Sequence, residues 1–109
     1  MSMPGFHDGR HYTDYVEQVN QLKKEQRFDE AEQLLISLVG ATEAEDSIEE
    51  RGVAPWYYEQ LALIYRKKKD LSMEQSILER FESQRHAPGK KPETLIARLT
   101  KIRETSRNP

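Results

Sequence analysis

Residues 27–35 read Arg27-Phe28-Asp29-Glu30-Ala31-Glu32-Gln33-Leu34-Leu35 and lie between two segments with helical patterns. Apolar side chains at positions 28, 31, 34, 35, 38 and 39 recur at spacings of three and four, which is typical of an amphipathic helix. Asp29 followed by Glu32 matches a capping box, in which two side chains satisfy the free amides at a helix start. The stretch therefore predicts the start of the second helix in a helix-turn-helix pair.

The composition favours a single domain with a thin core. The chain has 109 residues, of which 36% are hydrophobic and 33% are charged, a balance that suits a short stack of helix pairs. The net charge of −2 gives no overall electrostatic case for nucleic acid binding. No cysteine is present and neither a secretory signal nor a membrane span is apparent, so we expect a cytoplasmic protein.

Five amphipathic segments predict an all-α fold of about five helices. Residues 1–10 are expected to be an irregular arm, because Pro4, Gly5 and Gly9 oppose helix formation. Helix one has Thr13 as its N-cap, and Ser72 with Gln75 forms a second capping box at the start of helix four. The predicted helices cover residues 13–25, 29–50, 55–69, 72–85 and 92–105.

Helix two is predicted to continue past Gly40 as an acidic extension that stops at Gly52. The extension is interpreted as a solvated helix or as a docking surface for a basic partner, and its acidic residues are Glu43, Glu45, Asp46, Glu49 and Glu50.

Two copies of one unit of about forty residues can be aligned along the chain. The first copy contains Tyr15, Val19, Leu22, Phe28-Asp29-Glu30-Ala31 and Leu35, and the second contains Tyr58, Leu61-Ala62, Tyr65, Asp70-Leu71 and Leu78. These residues resemble the tetratricopeptide repeat (TPR) pattern. The resemblance implies antiparallel helix pairs in a short right-handed superhelix, with repeat one at about 12–50, repeat two at 55–85 and a capping helix at 92–105.

The chain departs from the TPR pattern at three places, one of which is that no proline closes the first repeat. Gln18-Val19 stands where the pattern has Leu-Gly, and Glu74 stands where it has a small residue at a close helix crossing. The departure at Glu74 predicts that this side chain lies at an edge or that the helices are splayed there. A generic five-helix bundle, or another kind of helical repeat, is the alternative fold.

The TPR resemblance implies a groove for a peptide or a helix, lined by the first helix of each pair. Trp56 and Leu63 lie on the face of helix three opposite its main apolar face, which leaves them for a ligand or for packing on helix one. Tryptophan and arginine are also frequent hot-spot residues in interfaces. The predicted groove residues are Val16, Asn20, Lys23, Lys24, Trp56, Glu59, Leu63, Arg66 and Lys67.

These features predict a non-enzymatic adaptor domain that binds a protein segment or a second copy of itself. The alternative is a small nucleic-acid-associated protein that uses the basic run Arg66–Lys69. No nucleotide-binding glycine loop, metalloprotease motif or activated nucleophile indicates an enzyme or a cofactor. His7, Asp8 and His11 are residue types that can bind a metal, but an exposed polar arm is the preferred interpretation.

Overall fold

The computed structural model describes residues 3–107 and confirms the all-α fold. Consecutive helices pack against one another, and the last helix contacts both of the two that precede it. Among the described helices, none has the length and apolar character that a bilayer crossing requires. The five helices are α1 (Val16–Lys24), α2 (Phe28–Glu49), α3 (Pro55–Lys67), α4 (Leu71–Glu82) and α5 (Lys90–Arg107).

A short β-hairpin precedes the helices, so the prediction of an irregular arm over residues 1–10 is wrong for the described part of it. Strand β1 (Phe6–His7) pairs antiparallel with β2 (Arg10–His11). Asp8 and Gly9 form the connection with φ angles of 50° and 80°, the left-handed pair that a tight type I′ hairpin turn requires. Asp-Gly is a strong signal for this turn, but strands of two residues show no alternating apolar pattern.

The entry into α1 differs from the predicted cap at Thr13. A 3₁₀ turn (Tyr12–Tyr15) comes first, and His11 is its N-cap, with Nδ1 accepting a hydrogen bond from the Thr13 amide at 3.3 Å. The imidazole thus takes the place that the predicted hydroxyl cap would have had.

Helix α2 is continuous through Gly40, as predicted, but its capping box does not form. The N-cap is Arg27 and makes no side-chain capping bond, while Asp29 and Glu32 both accept hydrogen bonds from Lys68. The helix ends at Glu49, within one residue of its predicted end, and its left-handed cap is Glu50, with a φ of 54°, rather than Gly52.

Helices α3, α4 and α5 lie within three residues of their predicted bounds, but the cap of α4 is not the predicted one. Asp70, not Ser72, is the N-cap, because its Oδ1 accepts from the Met73 amide at 3.1 Å. Gln75 donates to Glu79 and so takes no part in a capping box. Helix α5 extends beyond the predicted 92–105 at both ends, and residues 108–109 lie outside the described range.

The turns between α1 and α2 and between α3 and α4 have the same backbone hydrogen bonds. In the first, Gln26 has φ 61°, its amide donates to Lys23, and the next amide donates to Leu22 at 2.9 Å. In the second, Lys69 has φ 59°, its amide donates to Arg66, and the next amide donates to Tyr65 at 2.9 Å. Both turns are Schellman motifs. Within each pair the two helices are therefore joined by an equivalent turn, and the two turns lie at positions that match in the alignment of the two sequence copies.

The core follows the predicted apolar faces of the helices. Eight large apolar side chains in it are at most 1% exposed, and they come from α2, α3, α4 and α5, namely Leu35, Leu38, Tyr58, Leu61, Ile64, Leu78, Phe81 and Leu99. The broad apolar face of α3 is buried between α2 and α4, as expected for a central helix. This packing leaves the opposite face of α3 directed toward α1.

Candidate functional site

A cleft of about 560 Å³ lies between the C-terminal ends of α1 and α3, beside the start of α2. Leu63, Arg66 and Lys67 are three and four residues apart, so they share the face of α3 that the core does not use. From α1, Lys23 and Lys24 follow the buried Leu22 and so reach the rim. The cleft is lined by Lys23, Lys24, Gln26, Phe28, Leu63, Ile64, Arg66 and Lys67.

The cleft is positively charged, since its lining has four cationic residues and no acidic one. Burial lowers the pKa of the Lys23 ammonium; nearby Glu59 raises it and nearby Lys67 lowers it further. Lys23 donates to Gln60 Oε1, which is a neutral acceptor. Both helices end here, and their C-terminal carbonyls favour some positive charge. An anionic group in the cleft would relieve the repulsion between the two lysines.

Arg66 is held at the edge of the cleft by a buried carboxylate. Glu74 is 1% exposed, and its Oε2 accepts from Arg66 Nη2 at 2.8 Å and from Arg98 Nε at 2.9 Å. The prediction that Glu74 lies at an edge is therefore wrong. Burial opposes ionisation, but the hydrogen bonds from Arg98 and Arg66 outweigh it and lower the pKa of Glu74. The two guanidiniums and one carboxylate retain one net positive charge beside the cleft.

The structure brings together five of the nine predicted groove residues, and these are the Lys, Leu and Arg residues that line the cleft. Of the others, Val16 is partly buried against the core and Asn20 is exposed. Glu59 forms an ion pair with Lys91 at 2.7 Å, which fixes the start of α5 against α3. These positions lie outside the cleft lining.

Trp56 packs on the protein itself. Its ring stands edge-on to Tyr57 with centroids 4.9 Å apart, and the side chain is partly buried against the core. The ring contact is with a neighbour on α3, so the interpretation that Trp56 packs on helix one stays a prediction. Trp56 does not line the cleft.

Gln26 and Phe28 also line the cleft, although neither is among the predicted groove residues. The order of the helices could have predicted their position, because residues just after α1 lie at the same end of the molecule as the last turn of α1. Phe28 is partly buried and adds an aromatic side chain to the apolar part of the lining.

The basic run Arg66–Lys69 is partly compensated within the protein. Lys68 bridges α3 to α2 through Asp29 and Glu32, and these hydrogen bonds raise its pKa. Tyr65 also donates to Glu32 at 3.1 Å. Since Arg66 and Lys68 have carboxylate partners, the run presents less charge to a phosphate backbone than its sequence suggests.

The histidines of the hairpin contact neighbouring carboxylates. His11 Nδ1 accepts from the Thr13 amide, so Nε2 bears the proton that it donates to Glu45 Oε2 at 2.5 Å. His7 lies 3.5 Å from Asp8. Within residues 3–107 no group of three metal-binding side chains comes together. His11 instead attaches the hairpin to α2.

Comparisons with protein-family models, with curated proteins and with solved structures find no match for this chain. Membership of the TPR family stays a prediction from the repeat pattern.

Proposed function

We propose that this chain is a TPR-like adaptor domain that binds an acidic, amphipathic segment of a partner protein in the cleft between α1 and α3. The observation that carries the proposal is the cleft lining, in which four cations surround the partly buried Phe28 and Leu63 and no acidic residue is present. The proposed activity is recognition without a chemical step.

The lining suits a segment that carries carboxylates on either side of one apolar side chain. The apolar side chain would remove Leu63 and Phe28 from water, while the carboxylates would pair with Lys24 and Lys67 at the rim. Charges at a rim mainly raise the association rate and set partner choice, so binding should weaken as salt rises.

Nucleic acid is the weaker alternative. Arg66 and Lys68 are the members of the basic run that hydrogen bond to carboxylates in the protein. Titration with labelled single-stranded DNA and RNA at several salt concentrations tests this alternative, because phosphate binding gives a steep dependence on salt.

A peptide library displayed on phage tests the proposed function. We expect wild-type protein to enrich peptides with acidic residues around an isoleucine, leucine or phenylalanine, and Lys24→Glu/Lys67→Glu to lose them with an affinity at least about tenfold weaker. The matched control is Lys90→Glu/Lys101→Glu, which makes the same charge change on α5 outside the cleft. The proposal would be contradicted if both double variants lost peptide binding equally, or if the wild-type protein enriched basic peptides.

A further inference from the structure

We propose that the cleft also takes the end of α2 from a second copy of this chain, so that copies associate head to tail. This inference rests on the proposed function, because it names an occupant for the same cleft. The segment concerned is the α2 tip, defined as residues 45–50, which contains Ile48 between acidic residues.

The α2 tip has the chemistry that the cleft selects. Ile48 is 66% exposed, and Glu49 and Glu50 beside it are exposed as well. A single exposed isoleucine is unremarkable in itself. Glu45, three residues earlier, lies on the same side of the helix as Ile48, and Glu49 and Glu50 follow Ile48 at the helix end. An apolar side chain close to acidic residues is the complement of Leu63 and the lysines around it.

The tip cannot reach the cleft of its own molecule. Phe28 begins α2 and lines the cleft, and Ile48 lies twenty residues further along the same continuous helix. At a rise of about 1.5 Å per residue, the two ends of α2 are about 30 Å apart. The contact must therefore be between molecules. Because tip and cleft are different surfaces, each added copy leaves one free tip and one free cleft.

Contacts within each molecule limit the strength of this association. At the tip, Arg51 lies 3.5 Å from Glu49, and Glu45 is bound to His11. Arg85 lies 3.8 Å from Glu50. At the cleft, Arg66 is bound to Glu74. The charge left for the interface is modest, so the self-contact should be reversible, weakened by salt and displaced by a tighter acidic partner.

Sedimentation velocity on two complementary variants tests the inference. The tip variant is Ile48→Lys, and the cleft variant is Lys24→Glu/Lys67→Glu. We expect wild-type protein at low salt to form larger species as its concentration rises, and each variant alone to associate about tenfold or more weakly, as for a hot-spot change. Mixed one to one, the variants should form a heterodimer and nothing larger, because the tip of one fits the cleft of the other and both remaining surfaces are blocked.

The control is Ile36→Lys, which makes the same change at another exposed isoleucine of α2 and should associate like wild type. A wild-type protein that stays monomeric at high concentration would overturn the inference, as would a mixture that forms no heterodimer. If selected acidic peptides still bind the cleft in that case, the proposed function stands without self-association. If they fail to bind, the proposed function fails on its own account.

Discussion

At the scale of single residues, Glu74 decides how the C-terminal half is arranged. Its carboxylate joins Arg66 on α3 to Arg98 on α5, so one residue of α4 fixes both neighbouring helices. The arginines are partly exposed and keep contact with water, which limits the cost of burying the charges. The same contacts orient Arg66 at the edge of the proposed binding cleft. The ion-pair network that joins the helices thus also positions a residue of the candidate site.

Replacing Glu74 by glutamine should lower the free energy of unfolding by about 2–3 kcal/mol, because the amide leaves two guanidiniums without their carboxylate. Urea unfolding at pH 7 measures this change. Glu79→Gln is the control, since Glu79 is an exposed partner of Arg103 and its loss should have little effect. Equal effects of the two substitutions would show that the buried network does not stabilise the fold.

The contribution of Glu74 should also depend on pH in a defined direction. Because its folded pKa lies below the ordinary value of 4.5, the stabilisation is fully present above that value. It is lost as pH falls through the lower folded pKa. The difference in unfolding free energy between wild type and Glu74→Gln should therefore shrink when unfolding is repeated in increasingly acidic buffer. A difference that grows on acidification would contradict the assigned ion pairs.

At the scale of elements, the two helix-to-helix turns explain why the chain forms two similar pairs. Each ends its first helix with a left-handed residue, Gln26 in one and Lys69 in the other. Side chains with a Cβ adopt this conformation at a cost, and glycine usually occupies the position. The second helix of each pair begins directly after this turn. Phe28 and Leu71 then start α2 and α4.

Gln26→Gly and Lys69→Gly should therefore each raise the free energy of unfolding, by about 0.5–1 kcal/mol, because glycine adopts a left-handed φ without steric cost. Thermal or urea unfolding measures both. Gln33→Gly, at an exposed position inside α2, serves as the reference and should destabilise by about 1 kcal/mol. If one of the turn variants behaves like this reference, the two turns are not energetically equivalent.

At the scale of the whole molecule, the sequence predicted the number, order and apolar faces of the helices because these depend on local periodicity. It misplaced the caps because several polar residues compete within one turn, as Asp70 and Ser72 do. It could not anticipate the burial of Glu74, whose arginine partners lie 8 and 24 residues away on other helices. Five predicted groove residues meet in the cleft because helical spacing places Leu63, Arg66 and Lys67 on one face of α3, and because the end of α1, with Lys23 and Lys24, lies beside that face.

The most direct test of the central claim is an amide NMR titration of the protein with an acidic peptide recovered from the phage library. The proposed function predicts that the largest shift changes fall on the cleft, at Lys23, Lys24, Phe28, Leu63 and Lys67, and that they diminish when salt is raised. Shift changes centred on the exposed faces of α2 and α4, around Ile36 and Met73, would contradict it.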